Sequence, residues 1–495
     1  MKKRVIIVGG GIAGLSAGVY AQKCGFDVII LESHNIAGGN CTAWKRKGYL
    51  FEGAMHWLTG SSKKEPINKI WRHIGALNDN VAVHYPEPYK DFIYRGESIK
   101  LYRDVNLTEK HLIELSPSDE REIKVLCNNI RKISKLVMPV ADLRGVKVTK
   151  WQFPPIKLLF AYLSGNRMMK KSSKIPKEEY IRRFNHEGLR ELFRHFCSGK
   201  YSATWLYFSL ATQARGDGGF PEGGSLPFVG RIVKTLKEHG GKILFNTRVD
   251  RVVVKDGKAV GVETGGEFLP ADAVIVASDT MQIDHLFDAP PQAPWLDEMR
   301  KTTEPIMCTF VSLGINANLK RYPKNCMFKL EKPLIVAMQE YTYIQINNYA
   351  NDPTYSPDGK AAVTMHLISD SYDFWKKARD EGRYAEEKEK VAADVIAALT
   401  TQLPEIDGKV EVCDVATPLT YERYCATWKG SWMTMMAHTM KIKAYPAIVS
   451  NISSLYFAGH RMRAPGGLPI AARSGRAAVQ YLCRDTKTVF VSEDK

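Results

Sequence analysis

The chain contains no C-x-x-C pair. Its nine cysteines, at positions 24, 41, 127, 197, 308, 326, 413, 425 and 483, lie at least 12 residues apart. That scatter excludes zinc ribbons and dithiol redox motifs, and an odd count fits reduced thiols in a cytosol. No apolar run approaches the roughly 18 residues that a membrane span needs. A secretory leader is not expected either, because Met1–Arg4 runs directly into Val5-Ile6-Ile7-Val8-Gly9-Gly10-Gly11, which reads as a first strand and turn. Acid is in short supply: 53 Asp and Glu face 70 Lys and Arg, a net charge of +17. A basic excess of this size suits an anionic partner such as nucleic acid, a membrane surface or an acidic ligand. Internal repeats and low-complexity tracts are missing too. With 44% apolar and 25% charged residues over 495 positions, the chain is an ordinary globular protein of two to four domains' length.

What is present begins at the N-terminus. Arg4–Val8 has the composition of a buried parallel strand. Gly9-Gly10-Gly11-Ile12-Ala13-Gly14 follows, then a helical stretch to about Cys24, then a second strand from Phe26 to Leu31 that ends at Glu32. This is G-x-G-x-x-G in its required setting of strand, turn, helix, strand and acid, the arrangement that binds a dinucleotide. Gly9 permits the tight turn, Gly11 lets backbone approach a pyrophosphate, and Gly14 lets the helix pack on the sheet. The helix start at Ile12 and Ala13 offers free N–H groups to phosphates. Glu32 and the adjacent Ser33 are placed to meet a ribose diol. No second G-x-G-x-x-G occurs, so a separate nicotinamide domain is not encoded.

A second glycine pair, Gly38-Gly39, comes shortly after the acid and is followed by Asn40. This resembles the extended motif of the flavin amine oxidase and phytoene desaturase superfamily, and the resemblance implies FAD. Relatives usually carry Arg or Ser where Asn40 stands. Late in the chain, Ser454–Gly459 reads as a buried strand, and a Pro/Gly turn through Gly467, Leu468 and Pro469 opens a small-residue helix from Ile470 to about Leu482. It is similar to the C-terminal flavin motif of carotenoid desaturases and isomerases, where the helix start faces the flavin ring. Most relatives have an acid after the strand glycine; here His460 follows Gly459. In the middle, a helix opening at Gly223-Gly224-Ser225, then strands at 242–245, 249–254, 259–262 and 271–277, resemble the superfamily's second FAD segment. There Val249 would meet the adenine side.

The resemblance implies an α/β protein of the glutathione-reductase-like, amine-oxidase-like two-domain type. A discontinuous Rossmann-like FAD domain (about 1–75, 218–300 and 448–495) would interleave with an α+β substrate domain (76–217 and 301–447), which includes a long charged helix near Tyr372–Leu399. Basic charge concentrates between Arg144 and Arg183, with eleven Lys or Arg against two acids. Within that stretch, the aromatic and aliphatic segment from about 150 to 171 suits contact with an anionic membrane surface. A cytoplasmic enzyme attached peripherally to the membrane is the expectation. No nucleic-acid motif accompanies the charge.

Two stretches bear on chemistry. Phe51-Glu52-Gly53-Ala54-Met55-His56-Trp57 is similar to a retinol saturase-like pattern that crosses toward the flavin, which makes His56 a candidate flavin contact or a proton donor titrating near neutrality. Thr417–Ser431 resembles the cavity-lining stretch of phytoene desaturase-like proteins. Tyr421, Tyr424, Trp428 and Trp432 would then pave an apolar substrate tunnel, with Tyr421 a second proton-donor candidate. The implied activity is hydride exchange with carbon–carbon bonds of an apolar polyene or isoprenoid lipid: desaturation, saturation or cis–trans isomerisation. An external electron donor or acceptor of open identity would complete a net redox cycle. Two other readings stay open: an amine-oxidase-type enzyme, recognised by amine turnover with peroxide release, and a non-catalytic carrier of lipidated proteins like the GDP-dissociation inhibitors, recognised by a colourless protein. No metal is expected.

Overall fold

A computed structural model describes residues 2–136, 140–149, 168–196, 202–435, 444–463 and 466–493. Strand β1 (Arg4–Val8) is an almost unbroken apolar run because it lies at the centre of a five-stranded sheet. Val5, Ile6 and Ile7 are fully buried. On one side β1 pairs in parallel with β2 (Asp27–Leu31), which pairs with Lys242–Leu244. On the other it pairs with Ala273–Val276, which pairs with Leu455–Phe457. All these pairings are parallel, so strands from opposite ends of the chain meet in one sheet, with helices on its faces.

Helix α1 (Ile12–Lys23) covers one face and is clasped by the C-terminal helix Leu468–Thr486. Ser16 donates to the Ala472 carbonyl at 2.8 Å. A Cβ at Gly475 would sit 2.2 Å from the Ala13 oxygen, so the helices touch backbone to backbone. The opposite face is capped by an antiparallel meander, Arg251–Lys255, Lys258–Thr264 and Glu267–Pro270, and by helix Pro294–Thr302. The meander's first turn is the expected hairpin: Asp256 and Gly257 both adopt positive φ, the backbone twist that a two-residue turn between antiparallel strands demands.

A second body is built on a seven-stranded sheet. Its order is Val410–Ala416, Cys308–Ile315, Ala361–Ile368, Gln339–Asn348, Asn325–Val336, Lys90–Tyr94 and Glu97–Leu101. Every pairing is antiparallel except the parallel one between Asn325–Val336 and Lys90–Tyr94. Helices Glu120–Ile133, Glu187–Phe196 and Ala203–Ala214 share a core with the Lys90–Leu101 edge. The expected single helix near Tyr372–Leu399 is two helices, Tyr372–Asp380 and Tyr384–Gln402. Gly382 takes φ +75° between them, and the Gly382 and Arg383 N–H groups close back onto Arg379 and Ala378. This is a glycine C-cap, and it ends the first helix where charge periodicity alone would continue it.

The chain is thus an α/β flavoprotein-type fold with a parallel nucleotide-binding sheet joined to an α+β body. Among the described residues, no helix is long and apolar enough to cross a membrane. Residues 150–167, most of the expected membrane-contact segment, lie outside the described residues.

Candidate active site

A cavity of about 1920 Å³ runs from the C-terminal edge of the parallel sheet to the face of the second sheet. A single drug-sized ligand fills roughly 300–1,000 Å³, so this space accepts a dinucleotide and a second molecule together.

Its nucleotide end is made largely of backbone. Gly9 turns with φ +101°, and Gly38 and Gly39 also take positive φ, which draws the second glycine pair beside the first: Gly38 N–H donates to the Gly10 carbonyl at 2.9 Å, and Gly11 and Gly38 form an isolated bridge. The glycines divide by purpose. A Cβ on Gly14 would meet the Gly9 oxygen at 2.0 Å, so this glycine serves helix–strand packing and does not line the cavity. A Cβ on Gly11 would find no protein atom nearer than 4.0 Å. What Gly11 leaves clear is the cavity itself, together with Ile12 and Ala13 at the start of α1. The Glu32 carboxylate accepts from Gly10 N–H at 2.7 Å and His34 N–H at 2.8 Å, with the Ser33 hydroxyl at 3.4 Å, and retains acceptor capacity toward the cavity. Val249 also lines this end. Asn40 Oδ1 and Ser278 Oγ are buried on the cavity wall with no hydrogen-bond partner in the protein. Buried polar atoms are ordinarily satisfied, so these ask for a polar ligand.

Where the nucleotide end meets the cavity's middle, Gly459, Gly467, Leu468 and Pro469 bring the start of the C-terminal helix onto the wall. The Gly459 N–H donates to Ser474 Oγ at 2.9 Å. His460 is half-buried, and both its ring nitrogens are buried and unpartnered. Burial, then the neighbouring Arg461 charge, push its titration down to about 3, so it is a neutral imidazole at physiological pH. The acid nearest this position comes from another strand end and is paired within the protein. Asp279 follows Ala273–Val276 and forms a buried ion pair with Arg461 at 2.7 Å. It also accepts from Trp428 N–H at 2.9 Å, while Arg461 donates to Ser431 Oγ at 2.6 Å. Burial alone would raise the Asp279 carboxyl; Arg461 more than offsets this and holds it below its usual range.

The substrate end is made of side chains. Glu52, fully buried, accepts from Ala54 N–H, Met55 N–H, Ser225 N–H and Oγ, and Tyr355 Oη. These bonds pin the crossing segment and deliver His56 to the cavity wall. There His56 meets His366 edge to face, with ring centroids 4.1 Å apart, and Trp432 at 6.5 Å. Phe310 packs on His366 at 4.3 Å. His56 Nδ1, His366 Nε2 and Trp432 Nε1 have no hydrogen-bond partner. Burial, then the Lys324 charge, lower His56 to about 4, and burial takes His366 well below its ordinary value. The expectation that His56 titrates near neutrality is therefore corrected: both imidazoles are neutral at pH 7, because this pocket strips water from the charged form.

Tyr421 is buried on the same wall, 3.5 Å from the Gly53 carbonyl, and burial drives its phenol well above the usual range. Of the four aromatic residues expected to pave the tunnel, Tyr421 and Trp432 meet at this end. The other two do not. Tyr424 is 49% exposed and packs against His34, beside the nucleotide end. Trp428 is not on the cavity wall; its ring lies against Arg461 and Lys429. Both departures arise because Pro418–Cys425 is a helix of barely two turns and Trp428–Gly430 folds back after it, so aromatic spacing did not translate into one face. Sequence reasoning missed Asp279, Arg461, His366, Lys324 and Glu52. Arg461 directly follows His460, where the chain departs from the family's acid, and Glu52 lies within the Phe51–Trp57 stretch, but neither residue's partners can be read from its neighbours. Asp279, His366 and Lys324 are single residues in strands or loops, with no local pattern to mark them.

The comparisons agree with this geometry. The model of the family described as flavin containing amine oxidoreductase matches residues 12–483. A 4,4'-diaponeurosporene oxygenase of Staphylococcus aureus is 23% identical over 499 residues, covering 96% of this chain and 97% of that protein. An all-trans-retinol 13,14-reductase of Danio rerio is also 23% identical, covering 86% and 76%. Among solved structures, cyclohexylamine oxidase from Brevibacterium oxydans superposes with a TM-score of 0.59 at 13% identity, covering 98% of this chain and all of that one. A glycine cradle open only toward the cavity, with orphaned polar atoms around it, fits FAD. The chain belongs to the flavin-containing amine oxidoreductase family and is an FAD-dependent oxidoreductase.

Proposed function

We propose that the enzyme acts on carbon–carbon bonds of an apolar polyene or isoprenoid lipid, by desaturation, saturation or cis–trans isomerisation. The observation that carries this reading is the electrostatics of the cavity. Its described lining has nine Lys or Arg and three acids, and each acid already has a partner within the protein. Glu32 is held by backbone N–H groups at the nucleotide end, Asp279 is paired with Arg461, and Glu422 accepts from Tyr372 Oη at 2.9 Å. A cationic amine would enter a cavity of net positive charge, which disfavours the amine-oxidase reading. The wall of His56, His366, Trp432 and Tyr421, backed by Phe310, is aromatic and uncharged, as an apolar chain requires. The names of the oxygenase and reductase relatives support a carotenoid or retinoid type of substrate.

When bound, FAD supplies hydride exchange. The residues around it do the rest. Gly9, Gly11, Gly38 and Gly39 admit the pyrophosphate, and Glu32 meets the ribose. The first free N–H groups of the C-terminal helix and the neutral His460 give the inner wall donors without adding net charge. His56 and His366, neutral and unpartnered, orient a substrate and exclude water; neither stores a proton at pH 7. Attachment to an anionic membrane through the basic region around Lys170 and Lys171 would bring the cavity to its lipid, and both lysines are exposed.

The test is anaerobic incubation of the purified, chemically reduced protein with a lipid extract, followed by mass spectrometry. The expected result is a polyene lipid altered by two hydrogens or by geometry alone. No change in any lipid, together with turnover of amines and peroxide release by the oxidised protein in a separate aerobic assay, would overturn the reading.

A further inference from the structure

Lys324 is a cation with no ion pair among the described residues. It precedes strand Asn325–Val336, and its Nζ lies 3.4 Å from the ring centroid of Phe220 and 4.0 Å from that of Tyr349. Of the two carboxylates that feel its charge, Glu52 is engaged by its five donors and Asp352 Oδ1 by Thr354 N–H and Oγ1, while Asp352 Oδ2 has no hydrogen-bond partner; neither carboxylate forms an ion pair with Lys324. Aromatic rings cover one side of the ammonium, and the residue lines the cavity. Burial brings its titration down to about 7, so near neutrality an anion beside it is what would hold it fully charged. A half-buried cation without an ion pair is costly to keep, and a hydrophobic side chain would pack more favourably over the same rings.

The surroundings are polar where the rest of this arm is apolar. On the adjoining strands Asn347 and Gln345 also line the cavity, and Lys90 donates to Gln345 Oε1 at 2.5 Å. Arg103, which lines the same cavity, is already committed to the Gln213 and Asp217 carbonyls. The arrangement therefore offers an ammonium and amides, with no bidentate fork. It matches one negative charge of modest size better than a phosphate ester, which draws on arginine or a helix start.

We propose that Lys324 anchors the anionic end of the substrate, and that this substrate is an apolar chain ending in a carboxylate. The inference rests on the lipid reading of the cavity and adds the chemistry of one terminus. The ammonium donates to the carboxylate from the cavity side while Phe220 and Tyr349 hold it from behind, which fixes how far the chain extends toward His56.

The test compares palmitate and hexadecanol, probes of equal length that differ in the terminal group, by tryptophan fluorescence titration of the FAD-loaded protein. Palmitate is expected to bind at least about tenfold tighter. Lys324→Met should weaken palmitate by about 10–100-fold, the worth of a charge-assisted hydrogen bond, and leave hexadecanol unchanged, while Lys324→Arg should keep most of the preference. Flavin content and melting temperature monitor the fold, and Met is compatible with its aromatic neighbours. Equal binding of both probes, or a palmitate preference that survives Lys324→Met, overturns the anchor and leaves the lipid reading standing. If neither probe binds, the lipid reading falls and the anchor with it.

Discussion

The two ends of the cavity are built by different means. The nucleotide end uses backbone: glycines with positive φ, helix starts and one acid, all drawn from short local motifs. The substrate end uses side chains from strands far apart in sequence, His56 beside His366 and Lys324 over Phe220 and Tyr349. Backbone recognition suits a cofactor that does not vary, because phosphates need N–H groups and clearance wherever the motif occurs. Side-chain recognition suits a substrate, because each wall residue can be exchanged without disturbing a strand. The join between them is the buried Asp279–Arg461 pair, which ties two strand ends of the nucleotide sheet to Trp428 and Ser431 of the second body.

The sharpest way to break this division compares two glycines three residues apart. Gly14→Val places a branched side chain against the Gly9 carbonyl, and no soluble folded protein is expected. Gly11→Val meets only open cavity, so the fold should survive with a melting temperature near that of apo wild type, yet without flavin. Stoichiometric flavin in purified Gly11→Val would refute the cradle. The next largest effect is expected at the join. Arg461→Met leaves the Asp279 carboxylate buried and uncompensated, which costs about 3–5 kcal/mol in denaturant unfolding. The double variant with Asp279→Asn should regain much of that loss, because the unpaired charge is gone.

The substrate end should reveal itself through acid. His56, with a titration near 4, and His460, near 3, are neutral in the folded protein but titrate near 6.5 when unfolded. Between about pH 6.5 and 4 the unfolded chain binds more protons, so stability rises with pH across this window and is lost as pH falls. His56→Phe should flatten the slope of stability against pH there. It should also keep FAD bound and leave the pH–rate profile above pH 5 unchanged. An ionisation near neutrality that disappears in this variant would restore the proton-donor role. The smallest effect is expected at the exposed lysines. Charge reversal at Lys170 and Lys171 should weaken sedimentation with anionic liposomes a few-fold, more at low salt than at high. Equal binding to neutral and anionic vesicles would remove the membrane proposal.

The same contrast governs what sequence makes legible. Gly9, Gly11, Gly14, Glu32 and the Gly38-Gly39 pair can be read because their meaning is local: a backbone turn and a spacing fix the geometry wherever the motif folds. The C-terminal helix start at Gly467–Pro469 is legible for the same reason. His366 is not, since a lone histidine in the buried strand Ala361–Ile368 carries no local signal, and only antiparallel pairing with Cys308–Ile315 brings it to the cavity. Asp279 is hidden likewise, because its partner stands 182 residues away. Trp428 and Tyr424 mislead in the opposite sense: their aromatic spacing suggests one wall, and a short helix with a sharp return sends them to different places. His56 is legible in position but not in charge, because its titration depends on burial that no neighbouring residue announces.

The central claim is that this cavity joins FAD to an apolar polyene and not to an amine. Its most direct test is anaerobic mixing of the oxidised and, separately, the reduced holoenzyme with a polyene lipid and with an alkylamine of matched length, following the visible absorption of the flavin. The account expects the polyene to change the flavin's redox state in one of these mixtures, or to be isomerised by the reduced enzyme, and the amine to leave it untouched. Bleaching of the oxidised flavin by the amine, with no response to the polyene in either state, would contradict it.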